Sequence, residues 1–582
     1  MYTKNQLLTI DITDFTNEGE GVGKVDGFTF FVKDTIIGDH AEIIVTKVKK
    51  TYGYGRLKEL IIPSKDRVES ICPVARQCGG CQIQSMSYEA QLRFKENKVK
   101  NNLVRLGGFS ADFIDSIMEP IIGASADDED TPVGFGYRNK AQFPFGLNKD
   151  GEIVCGFYAG RTHTIIQNID CALGAKENKD ILSEIIAFMK EYHVMPYDEV
   201  KHNGVVRHAL LRRGYYTKEI MVCLVINKDK LPHSEELVKR LVGLNSLLEK
   251  SFGSRIASIS YSVNKNNTNV IMGDNYHTLW GNNTISDKLL GLSYDISPLS
   301  FYQVNPIQVE KLYGTAIEFA DLKGDEEVWD LCCGIGTITL SVAKKVAELR
   351  GGVERSIEAS KPRVHGIEIV PQAIEDAKNN AVNNMLDNVE FICAPVEEYL
   401  PAHADSIRAD VIIMDPPRKG IDEAALRVVV NASPEKIVYV SCDSATLARD
   451  LKYLCANGYE LKRVRATDMF GMTVHVETVC LLSKLHEAKH HVSVKLDMDE
   501  MDLTSAESKA TYEEIKAYVA EHNDGMKVSN LYIAQVKRKC GLELAENFNL
   551  PKSEDSRQPQ CPKEKEEAIL EALRYFKMLE IS

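Results

Sequence analysis

The sequence has no long hydrophobic run: none of its apolar stretches approaches the roughly 18 consecutive residues that a membrane helix needs. Asp11, Asp14 and Glu18 stand near the start of the chain, where a signal peptide would have an apolar core. We therefore expect a cytoplasmic protein that makes no contact with a membrane.

The chain also lacks an excess of positive charge, with 70 Lys and Arg residues against 84 Asp and Glu residues. The protein as a whole therefore has no positive electrostatic field that attracts nucleic acid, although a protein with a net negative charge can still have a local basic groove. Cysteine is too sparse for a disulfide scaffold, at 14 in 582 residues. The cysteines are therefore expected to serve as ligands, nucleophiles or core residues in a reducing compartment.

Composition and periodicity divide the chain into four regions, and the predicted fold class is multidomain α/β. Residues 1–62 alternate like five short strands and predict a small β-barrel similar to an OB fold. Residues 63–300 form a mixed α+β region, and residues 301–485 alternate strands with helices as in a doubly wound, Rossmann-like domain. Residues 486–582 predict a helical extension, either a helix-turn-helix or a solvated appendage.

The barrel region contains a basic stretch with aromatic rings. Tyr52 and Tyr54 lie among the cations Lys47, Lys49, Lys50, Arg56 and Lys58. Such a stretch could hold phosphates and stack bases, and a solvated barrel face is the alternative.

Three cysteines, Cys72, Cys78 and Cys81, stand close together in CPVARQCGGCQ. Clustered thiolates suit zinc or an iron–sulfur cluster. Zinc-binding pairs usually lie two to four residues apart, so the wider gap after Cys72 favours iron–sulfur, and a metal-free cysteine cluster is the alternative. Spacing alone does not decide whether Cys155 or Cys171 would be a fourth ligand.

The segment WDLCCGIGTITLSVA predicts a strand, a glycine-rich turn and a helix. Asp330 closes the strand, and Gly334 and Gly336 let the backbone approach a ligand. The turn has neither a full G-x-G-x-x-G nor a Gly-Lys-Ser/Thr, which disfavours a dinucleotide and a nucleoside triphosphate. Glu368 ends the next predicted strand, where it could accept hydrogen bonds from ribose hydroxyls. The pattern favours S-adenosylmethionine (SAM), with an empty turn as the alternative.

Three further blocks follow or end predicted strands, where doubly wound folds build active sites. Asp415 opens DPPRKG, whose prolines fix a rigid turn. Cys442 precedes a predicted helix from about Ser444 to Leu454, and the helix dipole would favour its thiolate. Alternation places His475 and Glu477 on one face of a strand, where a carboxylate is a candidate general base. The alternative for Cys442 is a cysteine of the hydrophobic core, and the alternative for Glu477 is a surface ion pair.

A methyl donor, a cysteine and a base together indicate methylation at carbon 5 of a pyrimidine. Carbon 5 is a poor nucleophile until a thiolate adds to carbon 6. It then attacks the methyl group, and a base removes the carbon 5 proton before the cysteine leaves.

With these blocks, the chain resembles the bacterial 23S rRNA uracil-5-methyltransferase family over roughly residues 1–485. The blocks are a TRAM-like barrel, CPVARQCGGCQ, FYQVNP, DLCCGIGT, DPPRKG, VSCDSATLARD and HVETV. The resemblance implies a SAM-dependent enzyme that forms 5-methyluridine in 23S rRNA, because the related tRNA enzymes usually lack both the barrel and the cluster. We expect it to act as a monomer.

The resemblance also implies roles for individual residues. Cys442 is similar to the nucleophile, Glu477 to the carboxylate that abstracts the proton, and Phe301 to a residue that stacks near the target base. The positions that match cofactor contacts are Gln303, Asp330, Gly334, Glu368 and Asp415. The implied ligands of a [4Fe-4S] cluster are Cys72, Cys78, Cys81 and, by the surrounding NIDCAL, Cys171.

The chain departs from the family pattern in two places. Asp443-Ser444 follows the implied nucleophile where Asn-Pro is usual, and Gly471-Met472 follows Phe470 where the family has Phe-Pro. The alternatives are a cytosine-5 or amine methyltransferase, a tRNA uracil methyltransferase and a non-catalytic RNA-binding assembly factor. A radical SAM enzyme is disfavoured because four cysteine ligands imply a closed cluster.

Overall fold

The computed structural model contains two compact units, residues 1–487 and 488–582. Among the described residues, no helix combines the length and the apolar character that crossing a membrane would require. The structure describes residues 2–125, 131–160, 162–268, 270–350, 363–403, 407–485, 512–523, 526–540 and 561–575.

The first unit begins with a closed five-stranded barrel. Its strands are β1 (Leu7–Phe15), β2 (Gly21–Val25), β3 (Phe28–Lys33), β4 (His40–Val48) and β5 (Tyr52–Ile62). They pair in the order β1-β2-β3-β5-β4. Alternate side chains fill the interior, namely Ile10, Ile12, Phe30, Val32, Ile43 and Val45. The predicted barrel is confirmed, because period-two alternation puts one side of each strand inside.

The next segments are α1 (Tyr88–Arg105), α2 (Ala111–Ile117) and β6 (Met118–Ile122). A seven-stranded sheet follows, in the order β13-β12-β11-β10-β7-β8-β9. Its strands are β7 (Lys140–Leu147), β8 (Ile153–Tyr158), β9 (Ile165–Gln167), β10 (Val206–Arg213), β11 (Glu219–Ile226), β12 (Arg255–Val263) and β13 (Tyr276–Gly281). One face packs against α3 (Asn178–Glu191), α4 (Ser234–Gly243) and α5 (Asn245–Phe252).

The rest of the first unit is an α/β layer. Its strands are β14 (Ile285–Leu289), β15 (Leu292–Ile296), β16 (Val328–Leu331), β17 (Val364–Glu368), β18 (Val389–Cys393), β19 (Val411–Met414), β20 (Lys436–Ser441), β21 (Tyr459–Thr467) and β22 (Glu477–Lys484). Its helices are α6 (Pro306–Ala320), α7 (Thr337–Leu349), α8 (Pro371–Asn383), α9 (Val396–Ala402), α10 (Glu423–Ala432) and α11 (Ser444–Ala456).

An eight-stranded sheet organises this layer, in the order β18-β17-β16-β19-β20-β22-β21-β6. The strands from β18 to β20 are parallel, and β22 runs antiparallel to β20. Hydrophobic clusters on both faces bury it beneath helices, as a doubly wound sheet requires.

The edge strand β6 comes from the region predicted as a separate central domain. It pairs in parallel with β21, with Val464 opposite Met118, and α1 packs on α11. A boundary at residue 300 therefore does not separate the two layers, because a long-range strand pairing joins them.

The second unit contains α12 (Tyr512–His522), α13 (Asn530–Lys539) and α14 (Lys563–Tyr575). These helices bury a small core of their own: Ile515, Val519, Ile533, Val536, Ile569 and Leu573. Apolar residues at helical spacing account for the predicted helices. The helix-turn-helix interpretation stays a prediction.

Candidate active site

The strands of the eight-stranded sheet bring the predicted catalytic and cofactor residues to one edge. Glu368 ends β17, Asp415 follows β19, and Cys442 follows β20. The carboxyl ends of parallel strands share an edge, so these side chains lie on the same side of the sheet. Glu477 begins β22, and because this strand is antiparallel to β20, its first residue lies at the same edge.

Cys442 and Glu477 lie at the same end of two neighbouring strands, β20 and β22. In the β20–β22 ladder Ser441 is opposite Thr478, and continuing the register by one residue sets Cys442 opposite Glu477. The Glu477 side chain is buried, whereas Cys442 is only partly buried. A reactant reaching Cys442 therefore meets a carboxylate held inside the protein.

His475 does not share the strand with Glu477, so the prediction of a common strand face is wrong. The chain turns before β22, where Met472 has a φ of 65° and the His475 amide donates to Thr473 Oγ1 (3.2 Å). Burial, followed by the charges of Arg418 and Lys98, lowers the pKa of His475 to about 4. The imidazole is therefore neutral at physiological pH.

The stabilisation of the Cys442 thiolate that the helix predicts is opposed by its surroundings in the structure. Burial, then the charges of Glu477 and Asp415, raises the pKa of the thiol to about 12. The helix dipole does not compensate, because Asp443 caps α11 and its Oδ1 accepts the amides of Ala445 (2.8 Å) and Thr446 (3.3 Å). The first amides of the helix are thus directed at a carboxylate.

The neighbouring carboxyls of Glu477 and Asp415 also have raised pKa values. Burial and then the charge of Asp415 raise the pKa of Glu477 to about 8, while Arg418 opposes the shift. Burial raises the pKa of Asp415 to about 7. A carboxyl that titrates near neutral pH is suited to general base catalysis.

The glycine-rich turn after β16 has the conformation that its sequence requires. Gly334 and Gly336 have φ values of 55° and 83°, and a Cβ on Gly336 would lie 3.0 Å from the Phe391 ring. Glu368 anchors the turn, because its two oxygens accept the amides of Gly334 (3.2 Å) and Val370 (3.0 Å). The Glu368 carboxylate is therefore fixed beside Gly334 in this turn.

Asp330 lies beneath this turn and is almost fully buried. One of its oxygens accepts the Thr339 hydroxyl (2.5 Å), and Oδ1 has no hydrogen-bond partner among the described residues. Burial is the main reason that its pKa rises to about 7. An unpaired buried acceptor suits a ligand that brings a donor or a positive charge.

The loop between β15 and α6 carries the other two predicted contacts. The side chain of Phe301 is 69% exposed, and Gln303 is partly buried. Asn305 caps α6 and donates from Nδ2 to the Met469 carbonyl (3.0 Å), which ties this loop to the turn before Glu477. The exposed ring is free to receive a planar ligand.

The structure brings Cys72, Cys78, Cys81 and Cys171 together. Burial and then the charges of the other three cysteines raise the pKa of Cys81 to about 12, an effect that acts only between neighbouring groups. Cys155 lies instead in the core beneath α3 and is fully buried. Cys171 is therefore the cysteine that lies near the other three, and its role as a fourth ligand stays a prediction.

The cysteine loop is held by backbone contacts. Cys78 forms an isolated β-bridge with Ala159, and the Gly79 amide donates to the Tyr158 carbonyl (3.1 Å). Within the described ranges, no group of three or more His, Cys, Asp or Glu side chains is arranged to hold a metal ion.

Sequence reasoning missed two contributors to this site. Arg418, in the DPPRKG block, favours the charged forms of Cys442 and Glu477, and its place just after a strand end was the available signal. Lys95 and Asp468 form a fully buried ion pair at 2.5 Å beside the turn before β22. No local signal marks that pair, because its partners are far apart in sequence.

Comparisons with known proteins agree on one family. Residues 177–485 match the family described as tRNA (Uracil-5-)-methyltransferase, and residues 3–58 match the TRAM domain. A protein of Halalkalibacterium halodurans, described as an uncharacterized RNA methyltransferase, is 42% identical over 82% of this chain and 97% of its own length. A Clostridium tetani protein with the same description is 42% identical over 84% of this chain and 98% of its own.

A solved structure is similar over most of the chain. It is the Pyrococcus abyssi tRNA (uracil-54, C5)-methyltransferase in complex with S-adenosyl-L-homocysteine, with a TM-score of 0.60 and 26% sequence identity. The match covers 81% of this chain and 99% of that protein.

Proposed function

Because the chain belongs to the tRNA (uracil-5-)-methyltransferase family and carries a TRAM domain, we propose that it methylates carbon 5 of a uridine in 23S rRNA through a covalent bond to Cys442. The chain is a SAM-dependent RNA methyltransferase, as its motifs predicted. The observation that carries the covalent scheme is the position of Cys442 opposite the buried Glu477.

In this scheme the Cys442 thiol first gives its proton to solvent. Its sulfur then bonds to carbon 6 of the uracil, and the electron pair of the carbon 5–carbon 6 double bond moves toward carbon 5. Carbon 5 then takes the methyl group, so that S-adenosylhomocysteine leaves. Glu477 removes the carbon 5 proton, the double bond re-forms, and the carbon–sulfur bond breaks to release Cys442 as a thiolate. A base stacked in RNA must first flip out to reach this edge.

The residues around the glycine-rich turn suit SAM. Glu368 could accept hydrogen bonds from ribose hydroxyls, and Asp330 has a free buried oxygen for a donor. Gln303, Gly334 and Asp415 complete the proposed contacts. SAM supplies an electrophilic methyl group on a positive sulfonium, and a positive charge beside Asp415 would lower the pKa of Cys442.

We extend the proposal to a [4Fe-4S] cluster on Cys72, Cys78, Cys81 and Cys171. Four partly buried thiols that influence one another electrostatically are a suitable donor set, because soft sulfur ligands select iron–sulfur clusters. Such a cluster spaces its ligands more widely than a single ion does. The reaction needs no electron transfer, so the role assigned to these cysteines is to fold the segment that reaches the turn before Glu477.

The preference for 23S rRNA rests on the barrel together with the cysteine set, which the sequence resemblance associates with the rRNA enzymes. A tRNA uridine is the second candidate, favoured by the similarity to the Pyrococcus abyssi tRNA enzyme. Phe301 is proposed to stack near the target base in either case.

The function is tested by mapping 5-methyluridine in rRNA and tRNA from cells with and without this gene. Loss at one 23S rRNA position, restored by the wild-type gene and not by a Cys442→Ala gene, is the expected result. Loss in tRNA alone would favour the second candidate, and unchanged 5-methyluridine in both RNAs would contradict the proposal.

A further inference from the structure

Three cations meet on the seven-stranded sheet, beside the loop that carries Phe301. Lys140 on β7 is directly opposite Arg212 on β10 in the antiparallel register, so their side chains share one face. Arg138 precedes β7, and its Nε donates to the Lys140 carbonyl (3.1 Å). Positive groups from two strands and a loop are therefore gathered at one place.

Among the described residues, no carboxylate forms an ion pair with Arg138, Lys140 or Arg212. The neighbouring Arg213, by contrast, has Oε1 of Glu177 within 2.8 Å of its Nε. Burial, then the charges of Arg212 and Arg138, lowers the pKa of Lys140 to about 7. Like charges that are partly buried repel one another, so an anion bound at this position would reduce the electrostatic repulsion among the three cations.

Arg212 gives the group a fixed positive charge. It is 2% exposed, its two terminal nitrogens donate to the carbonyls of Ser297 (3.1 Å) and Ser300 (2.8 Å), and its Nε has no partner among the described residues. These bonds fix the turn that leads into Phe301. Arg212 is too buried to touch a ligand and acts by its charge and by holding this turn.

Arg138 and Lys140 are partly exposed, and they flank the residue that anchors the Phe301 loop. Between them, Asn139 donates from its amide to the Val304 carbonyl (2.9 Å) and from Nδ2 to the Gln303 carbonyl (3.1 Å). The Arg138 amide donates to the Leu173 carbonyl (2.8 Å), close to Cys171. The cations thus lie between the cysteine loop and the proposed uridine site.

We propose that Arg138 and Lys140, backed by Arg212, bind a backbone phosphate of the RNA next to the uridine that enters the active site. The identity of the anion rests on the proposed function, since RNA presents a phosphate beside every base. Arg138 offers a planar fork and Lys140 a point charge, a combination that suits a phosphate oxygen pair. The carboxylate of SAM is the other anion at this edge, and the test separates the two.

The test measures binding of the full chain to a single-stranded uridine homopolymer and to the rRNA transcript that the wild type methylates, at several salt concentrations. Lys140→Met and Arg138→Gln should each weaken binding about tenfold. Each should also reduce the slope of log affinity against log salt by about 0.7, the value for one phosphate contact on a single strand. Binding of S-adenosylhomocysteine should not change, and Lys140→Arg should keep wild-type RNA affinity.

Lys140→Met is expected to fold normally, because it removes a charge that its neighbours repel and keeps the length of the side chain. This variant should melt at or above the wild-type temperature. Lys239→Gln on α4, an exposed position paired with Glu236, is the matched control and should leave RNA affinity and salt slope unchanged.

Wild-type RNA affinity and salt slope in both Lys140→Met and Arg138→Gln would overturn the proposal. Weaker S-adenosylhomocysteine binding with unchanged RNA binding would assign the anion site to the cofactor carboxylate and would overturn it equally. The homopolymer measurement does not depend on methyl transfer, so failure of the proposed function would appear separately, as a wild-type protein that leaves uridine unmethylated.

Discussion

Gln91 and Met472 are joined by two hydrogen bonds across the interior of the protein. The Met472 amide donates to Gln91 Oε1 (3.0 Å), and Gln91 Nε2 lies 3.1 Å from Met472 Sδ. Gln91 belongs to α1 and is fully buried, while Met472 has a left-handed φ of 65° that a residue with a side chain rarely adopts. The contact therefore holds a strained turn that leads directly to Glu477.

We expect Gln91→Leu to misplace this turn and slow the step that needs Glu477. The variant should lose about 1–3 kcal/mol of stability, because it leaves the Met472 amide buried without a partner. It should also accumulate covalent protein–RNA adduct relative to released product, measured on denaturing gels during turnover. Arg93→Gln, an exposed change on the same helix, is the control and should keep the wild-type ratio of adduct to product. A Gln91→Leu protein with the wild-type ratio would show that the turn does not position the base.

Replacing Glu477 by glutamine should stall the reaction after methyl transfer. The amide keeps the shape of the side chain but cannot take the carbon 5 proton, so methylated RNA should stay bonded to Cys442. Mass spectrometry of the adduct should find the added methyl group. His475→Gln is the matched comparison: the imidazole is already neutral, so this change should leave turnover within about threefold of wild type. Ordinary turnover by Glu477→Gln would remove the residue from the mechanism.

The same carboxyl should make the protein less stable as the pH rises. The pKa of Glu477 increases from 4.5 to about 8 on folding, so between these values the folded state binds more protons than the unfolded state. Stability should therefore fall with increasing pH across that window, by about 2–4 kcal/mol for this group. Denaturant unfolding at about pH 5 and about pH 9 should show a smaller loss in Glu477→Gln. Equal losses in the two proteins would contradict the shifted pKa.

The barrel carries a candidate second contact for RNA. Phe31, Tyr52 and Tyr54 pack together on its outer face, with ring centroids 5.5–5.7 Å apart. The register places Lys33 opposite Arg56 on the same two strands, β3 and β5. Replacing Tyr52 by alanine should weaken RNA binding by about 1–3 kcal/mol if a base stacks there, without changing S-adenosylhomocysteine binding. Leu7→Ala, a largely exposed barrel position away from these rings, should have little effect. Unchanged RNA affinity in the tyrosine variant would favour the solvated-face interpretation.

The local elements of the site could be predicted from the sequence because their signals are local. The apolar runs Val328–Leu331 and Val411–Met414 have the bounds of the observed strands, and the helix after Cys442 begins at Ser444 as expected. The start of β22 was missed because the alternation of apolar and polar residues begins before the strand, at about Val474. The left-handed turn at Met472 precedes the strand, and it depends on contacts with α1 that the local sequence does not reveal.

Long-range relationships could not be predicted from the sequence. Strand register, which no local pattern encodes, sets Cys442 opposite Glu477 and brings β6 to the edge of the sheet. The raised pKa of Cys442 was missed for the same reason, since the helix was visible in the sequence but the two neighbouring carboxyls were not. Burial and the neighbouring carboxyls, rather than the sequence motif around Cys442, set the pKa of this cysteine.

The most direct measurement of the covalent scheme uses RNA that contains 5-fluorouridine. Fluorine replaces the proton that Glu477 must remove, so the reaction should stop with the methylated base still bonded to the protein. Wild-type protein with SAM should give a stable adduct on denaturing gels, and peptide mass spectrometry should locate the modified base on Cys442. Cys442→Ala should give no adduct and no 5-methyluridine while still binding S-adenosylhomocysteine. Methylation of ordinary RNA by Cys442→Ala, or an adduct on another residue, would contradict the account.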